Sequence, residues 1–197
     1  MSQKKTEADT SRRKKKKAMI KKVTNKEIVN GSFVLRDGVT EIVDFAFEDC
    51  KSLSSIIIPE GVKKIGYGAF YRCSRLTNIT IPESVTEIEK MAFDGCSALS
   101  SIIIPAGVTK IGFHTFGDCD SLKNITLPDG MTKIGESTFY DCWSLSSIFI
   151  PKSVAEIGST AFYGCSSLKK VSLPKKVKLS YDVFDRCHPE LEIEYRD

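Results

Sequence analysis

The stretch SLSSIIIP at residues 52–59 recurs along the chain at a fixed interval. Near-copies stand at 98–105 (ALSSIIIP) and 144–151 (SLSSIFIP), each 46 residues after the previous one. Midway between them lie RLTNITIP at 75–82 and SLKNITLP at 121–128. The chain therefore repeats with a period of 23 residues and alternates between two versions of one segment.

Three unrelated residue types keep this period, which excludes coincidence. The pattern is C-x2-L-x2-I-x-[IL]-P-x2-[VM]-x2-I-G-x2-[AT]-F-x2-C. The cysteines are Cys50, Cys73, Cys96, Cys119, Cys142 and Cys165, with Cys187 one residue early. The prolines are Pro59, Pro82, Pro105, Pro128, Pro151 and Pro174. The phenylalanines are Phe47, Phe70, Phe93, Phe116, Phe139, Phe162 and Phe184.

Each repeat predicts a short extended segment that a proline ends, because proline has no N–H for a sheet ladder. A second short β-branched segment follows, and a turn leads to the Phe and Cys positions. A unit of this size cannot bury its own apolar face, so neighbouring units must stack. We predict a mainly β repeat solenoid of about seven turns, with a parallel sheet on one face, short second strands or turns, and no long helices. The predicted core repeats the positions of Leu53, Ile56, Ile58, Val62, Ile65, Phe70 and Cys73.

The repeats predict one domain over residues 23–197, with an N-terminal cap at 23–31 and a C-terminal cap at 188–197. The last segment, LEIEYRD, predicts an edge strand whose charges discourage end-to-end pairing. Residues 1–22 are predicted to form a disordered basic arm. Residues 1–26 carry eleven Lys or Arg and two Asp or Glu, whereas the rest of the chain has a net charge of −5.

The pattern LxxIxIPxxVxxIGxxAFxxC resembles the BspA-like (Treponema pallidum-type) leucine-rich repeats over about residues 30–187. The resemblance implies a right-handed leucine-rich-repeat stack with a parallel sheet on one face. It also implies a protein-binding role, since several members of that family are associated with adhesion, including attachment to host matrix proteins. Many members are surface or secreted proteins.

The sequence predicts a cytoplasmic location, because no apolar run approaches the length of a membrane span and the basic N-terminus lacks the apolar stretch of a signal peptide. A cell-surface or secreted location is the alternative that the resemblance implies.

The candidate chemical residues favour no enzyme. The cysteines lack metal-site spacing such as C-x2-C and predict a ladder of buried free thiols, although an occasional disulfide between neighbouring turns stays open. His114 lies five residues before Cys119, which would suit a nucleophile and its base. Its equivalents are Gly68, Met91, Ser137 and Thr160, which predicts a tolerant, exposed position. We expect no catalysis, cofactor, metal or small-molecule substrate, and a monomer.

Side chains alternate along a strand, so each first segment should present two residues outward. The predicted outward residues are Ser55, Ile57, Asn78, Thr80, Ser101, Ile103, Asn124, Thr126, Ser147 and Phe149. Ile57, Ile103 and Phe149 would place apolar groups on every second strand. Trp143, at a position that is otherwise polar or charged, is a further candidate. This face could bind a protein ligand, or it could carry ordinary strand residues that need no function.

Positive charge supports an alternative function. The residues Arg12, Arg13, Lys14, Lys15, Lys16 and Lys17 could contact nucleic acid or anionic membrane through electrostatics alone. A second basic cluster comprises Lys169, Lys170, Lys175, Lys176 and Lys178. A purely solubilising arm is the other interpretation.

Overall fold

The computed structural model describes residues 18–20 and 22–197 and shows two series of short parallel strands, one from each half of the repeat. We call the series formed by the segments before the prolines the first sheet. Its strands are β2 (Ser32–Val34), β4 (Ser55–Ile57), β6 (Asn78–Ile79), β8 (Ser101–Ile103), β10 (Asn124–Thr126), β12 (Ser147–Phe149), β14 (Lys170–Pro174) and β16 (Glu192–Arg196).

The segments after the prolines form the second sheet, so the short second strands of the prediction are also paired between turns. These strands are β1 (Ala18–Ile20), β3 (Val39–Ile42), β5 (Lys64–Ile65), β7 (Glu87–Ile88), β9 (Lys110–Ile111), β11 (Lys133–Ile134), β13 (Glu156–Ile157) and β15 (Lys178–Leu179). The described residues contain no α-helix, and one 3-10 helix spans Asn25–Glu27. The predicted β solenoid is confirmed.

Both sheets are interrupted at the same level of the stack. In the described part of the chain, the first sheet divides into β2-β4-β6, β8-β10 and β12-β14-β16, and the second divides into β1-β3-β5-β7 and β9-β11-β13-β15. Neither β6 with β8 nor β7 with β9 forms a ladder. The third and fourth turns are therefore joined mainly through the core and through the turns that carry the Phe and Cys positions.

A column of phenylalanine rings forms the centre of the core. Phe47, Phe70, Phe93, Phe116, Phe139 and Phe162 are fully buried. Consecutive rings stack with centroids 5.1 Å to 5.7 Å apart and planes within 15° of each other. Phe33 closes the column edge-on against Phe47. Each ring thus makes its closest aromatic contacts with neighbouring turns, which explains why one turn cannot fold alone.

Backbone hydrogen bonds reinforce the column on a third side of the stack, where the turns between the second and first strands lie. The Phe93 N–H donates to the Thr115 carbonyl, and the Phe116 N–H donates to the Thr138 carbonyl, both at 2.9 Å. These turns include left-handed backbone positions, such as His114 (φ 49) and Asp118 (φ 53). Aspartate and histidine are more tolerant of this conformation than most residues.

The two ends of the stack are covered by additional strands. The predicted C-terminal strand is observed, because β16 pairs in parallel with β14 over five residues. At the other end, Ala18–Ile20 pair with β3. The structure therefore differs from the predicted disordered arm at 18–20, since these residues extend the second sheet by one strand. The remaining arm residues, 1–17 and 21, lie outside the described residues.

Removing one ring from the phenylalanine column should strongly destabilise the protein. We expect Phe139→Ala to lower the free energy of unfolding by about 3–5 kcal/mol, because it leaves a cavity in a close-packed core. Urea denaturation followed by far-UV circular dichroism measures this. Ile103→Ala, at a side chain that is 67% exposed, should change stability by less than about 0.5 kcal/mol. Equal effects of the two substitutions would contradict the stacking account.

Candidate functional site

The outward residues of the first sheet form a continuous surface, which we call the front face: Ser55, Ile57, Asn78, Thr80, Ser101, Ile103, Asn124, Thr126, Ser147 and Phe149. Its three large apolar side chains, Ile57, Ile103 and Phe149, are 63%, 67% and 55% exposed. The polar members are exposed except Ser55, which is half-buried. Strand alternation therefore predicted the orientation of these residues correctly.

Val34 is an apolar front-face residue that the sequence prediction missed. It is 62% exposed and pairs in register with Ile57. Its position 23 residues before Ile57 was the available signal, but Arg36 replaces the first proline of the repeat and hides the equivalence. Apolar groups consequently occupy two adjacent strands at this end, rather than every second strand throughout.

Four of the predicted residues come together where the first sheet is interrupted. Asn78 and Thr80 from the β6 segment and Ser101 and Ile103 from β8 line a groove of about 340 Å³. Thr80 lies one residue beyond the end of β6. Ile103 is the one large apolar side chain of the outward row in this groove, and Glu83 joins the hydroxyl and amide groups around it.

The front face carries no ionisable side chain from β2 to β12, because its residues there are Ser, Ile, Asn, Thr, Val and Phe. Charge begins at β14, where Lys170 forms an ion pair with Glu194 at 3.3 Å. A charged polymer would therefore find no counter-charge on this surface.

Arg196 closes the front face at its C-terminal end. Its guanidinium lies 3.7 Å from the centroid of the Phe149 ring and donates a hydrogen bond to the Ile150 carbonyl at 2.7 Å. Ser172, whose position in β14 corresponds to Phe149, is buried. The accessible apolar surface thus extends from Val34 to one side of Phe149.

Trp143 is 53% exposed but lies in the turn before β12, outside the strand. It is therefore separate from the row of outward strand residues. The basic cluster near the C-terminus is partly neutralised, since Lys175 pairs with Asp197 at 2.6 Å in addition to the Lys170 pair. Arg12, Arg13, Lys14, Lys15, Lys16 and Lys17 lie outside the described residues.

The prediction of an exposed His114 is wrong. Its side chain is only 21% exposed and lies between Asp94, on the preceding turn, and Asp118. Gly117 makes room for the imidazole, because a Cβ atom there would stand within contact distance of Nδ1. Burial lowers the pKa of His114, and the Asp118 carboxylate opposes that shift. The residues equivalent to His114 in other repeats did not reveal its burial, because the space for the imidazole comes from Gly117, at a different position of the repeat.

Comparison with known proteins agrees with these features. The BspA type leucine rich repeat region matches residues 24–112 and 92–195 in six copies. The chain belongs to the BspA-type leucine-rich repeat family. Proteins of this family are typically binding or adhesin-like modules and are often at the cell surface or secreted. They are generally not enzymes.

Solved BspA-type and other leucine-rich repeat structures resemble this chain. The Treponema pallidum leucine-rich repeat protein TpLRR is 34% identical over 83% of this chain and 78% of its own, with a TM-score of 0.79. A leucine-rich repeat protein from Bacteroides ovatus is 26% identical over 83% of this chain and 55% of its own, with a TM-score of 0.50. A search of curated proteins found no significant match. No helix among the described residues has the length and apolar character that spanning a membrane requires.

The cysteines of this BspA-type repeat form the predicted ladder of free thiols. All seven are free, and all except Cys187 are buried. The thiol of Cys96 donates to the Phe70 carbonyl at 3.2 Å, and that of Cys119 donates to the Phe93 carbonyl at 3.2 Å. Burial raises the pKa of the six buried thiols, and the pKa of Cys50 rises to about 11. A high pKa suppresses the thiolate, so the ladder is chemically inert and stabilises the contact between turns.

Alkylation should distinguish Cys187 from the six buried cysteines of the ladder. In the native protein at pH 8, we expect iodoacetamide to modify Cys187 first, because its side chain is half-buried while the other six thiols are buried and protonated. Intact-protein mass spectrometry should show one rapid addition, and seven additions after denaturation. Rapid native labelling of Cys96 or Cys119 would contradict the ladder.

Proposed function

We propose that the protein is a non-enzymatic binding module that recognises a protein ligand through the front face. The observation that carries this proposal is the row of Val34, Ile57, Ile103 and Phe149, four large apolar side chains more than half exposed on one sheet surface. Family membership supports a binding role in general. The front face and the identity of the ligand are the parts that we propose.

The chemistry of the front face favours a protein surface as the ligand. Protein interfaces combine apolar anchors with a polar, hydrogen-bonding surround and few charges at their centre. The groove between β6 and β8 is close to this composition, since Ile103 lies beside Asn78, Thr80 and Ser101, and Glu83 is the one ionisable residue of its lining. Strands two turns apart are roughly 10 Å apart. A ligand that contacts Ile57 and Ile103 together should therefore present two apolar side chains at about that spacing.

The compartment decides which proteins are available as ligands. Because family members are often at the surface or secreted, extracellular-matrix proteins are the first class of ligand to test. In an intracellular location, the same face would act as a scaffold for other proteins.

The excess of positive charge in residues 1–26 supports a second candidate function. In this alternative the arm binds nucleic acid or anionic membrane, and the repeats are a passive body. Binding would then be driven by the release of counterions and would weaken steeply as the salt concentration rises. Front-face binding should respond weakly to salt, because the face has no ionisable side chain from β2 to β12.

Biolayer interferometry against a panel of purified extracellular-matrix proteins tests the proposal. We expect the variant Ile57→Glu/Ile103→Glu/Phe149→Glu to bind at least about 100-fold more weakly than the native chain, since each change places a charge in an apolar contact. Tyr181→Glu is the matched control, because Tyr181 is 84% exposed outside the front face and should leave binding unchanged.

A variant lacking residues 1–17, which keeps β1, separates the two functions. It should bind matrix protein like the native chain, with little change between 50 and 200 mM salt. The alternative predicts that this truncation abolishes binding to duplex DNA or to vesicles containing phosphatidylserine. Loss of matrix binding on truncation, with the triple variant unaffected, would overturn the front-face proposal.

A further inference from the structure

Two successive turns on the third side of the stack depart from the repeat and bring three potential ligand atoms close together. Asp94 precedes Cys96 on one turn, and His114 and Asp118 lie on the next. One ligand atom from each residue lies within 4.8 Å of the other two. Nδ1 of His114 is 3.6 Å from a carboxylate oxygen of Asp94. We call these three side chains the cluster.

A glycine creates the space for this cluster. Gly117 occupies the repeat position that Tyr140 and Tyr163 fill on the following turns, where their rings stack 5.0 Å apart. The imidazole of His114 takes the place that the missing side chain leaves and stacks on Tyr140 with centroids 5.4 Å apart. The arrangement depends on this combination of residues and does not recur in other described turns.

Asp94 is the most unusual member of the cluster because it is a buried carboxylate without a hydrogen-bond donor. It is only 6% exposed, and no donor in the described residues lies within hydrogen-bonding distance of its side chain. Burial, followed by the nearby Asp118 carboxylate, raises the pKa of Asp94 to about 7, and the Arg72 guanidinium offsets only part of this effect. A buried carboxylate without a hydrogen bond is costly, and a coordinated cation would lower that cost.

We propose that Asp94, His114 and Asp118 bind a divalent first-row transition-metal ion such as Zn²⁺, linking two successive turns. Imidazole nitrogen together with carboxylate oxygen favours such ions over Ca²⁺ and Mg²⁺, which prefer oxygen ligands alone. A neutral imidazole and two carboxylates also balance the charge of the ion. This site is independent of the front face.

The distances require little rearrangement. Ligands about 2.1 Å from a tetrahedral zinc ion are roughly 3.4 Å from each other. The His114 and Asp94 atoms are already close to that separation, and rotation of the exposed Asp118 side chain brings the third ligand in.

The position of the cluster gives metal binding a structural consequence. It spans the third and fourth turns, where neither the first nor the second sheet is continuous. On the third side, the backbone remains connected through Met91 N–H to the Phe113 carbonyl and Gly95 N–H to the Gly117 carbonyl, both at 2.9 Å. A metal ion would add a cross-link beside these bonds and stabilise the junction between the two parts of the stack.

Titration of the full-length reduced protein with Zn²⁺ by isothermal calorimetry tests the proposal. We expect one site per chain, and thermal unfolding should shift to higher temperature with added Zn²⁺ because the folded state holds the three ligands together. Equal concentrations of Ca²⁺ or Mg²⁺ should not produce the shift. Co²⁺ should give d–d absorption without the charge-transfer band of thiolate ligation, which excludes the cysteines as ligands.

Four variants locate the site. His114→Ala and Gly117→Ala should each weaken Zn²⁺ binding at least about 10-fold. The second retains all three ligands but places a methyl group where the imidazole lies. His188→Ala removes the other histidine, and Gly130→Ala adds a methyl group in ordinary contact, 3.6 Å from the Ala106 carbonyl oxygen and away from the cluster, so both should bind like the native protein.

Absence of stoichiometric Zn²⁺ binding in the native chain would overturn the proposal. Unchanged binding in both His114→Ala and Gly117→Ala would also overturn it. Circular dichroism and unfolding in the absence of metal show that each variant is folded, so a loss of binding cannot be mistaken for a loss of structure.

Discussion

The stacking of apolar side chains between successive turns is the interaction on which the rest of the structure depends. A turn of 23 residues has an apolar face that it cannot bury, and the six fully buried phenylalanine rings show how the neighbouring turn covers it. The thiol ladder adds a hydrogen bond from each cysteine after Cys50 to the phenylalanine carbonyl of the previous turn. Both contacts require identical spacing in every turn, which explains why the core positions repeat so strictly.

The same constraint leaves the outer positions free to vary, and the candidate sites lie there. The front face alternates SII with NIT or its variants because those side chains face solvent. The cluster of Asp94, His114 and Asp118 depends on departures from the repeat outside the core, including Gly117 in place of an aromatic residue. Terminal positions vary for a different reason, since Phe33 covers the first ring of the phenylalanine column and Arg196, from the last strand, covers the Phe149 ring.

The sequence predicted the fold and the orientation of the front face because both follow from periodicity. A 23-residue period requires stacking, and strand alternation separates Ile57 from its buried neighbours Ile56 and Ile58. Periodicity could not predict the interrupted sheets or the groove beside Ile103, since these depend on small differences in how far adjacent turns approach. It also misjudged His114, whose burial results from a missing side chain three residues away. Tertiary contacts between unlike positions are not visible in an alignment of repeats.

The direct test of the account is to excise one turn in register. Deletion of residues 122–144 joins Ser121 to Leu145, so that the cysteine, phenylalanine and proline positions of the flanking turns keep their order. Urea unfolding of this variant should remain cooperative. Its free energy of unfolding should fall less steeply with urea concentration, because the variant buries less surface. Deletion of residues 122–133 removes about half a turn and should abolish the cooperative transition. If the half-turn deletion folded as well as the full-turn deletion, the stacked turn would not be the unit of this structure.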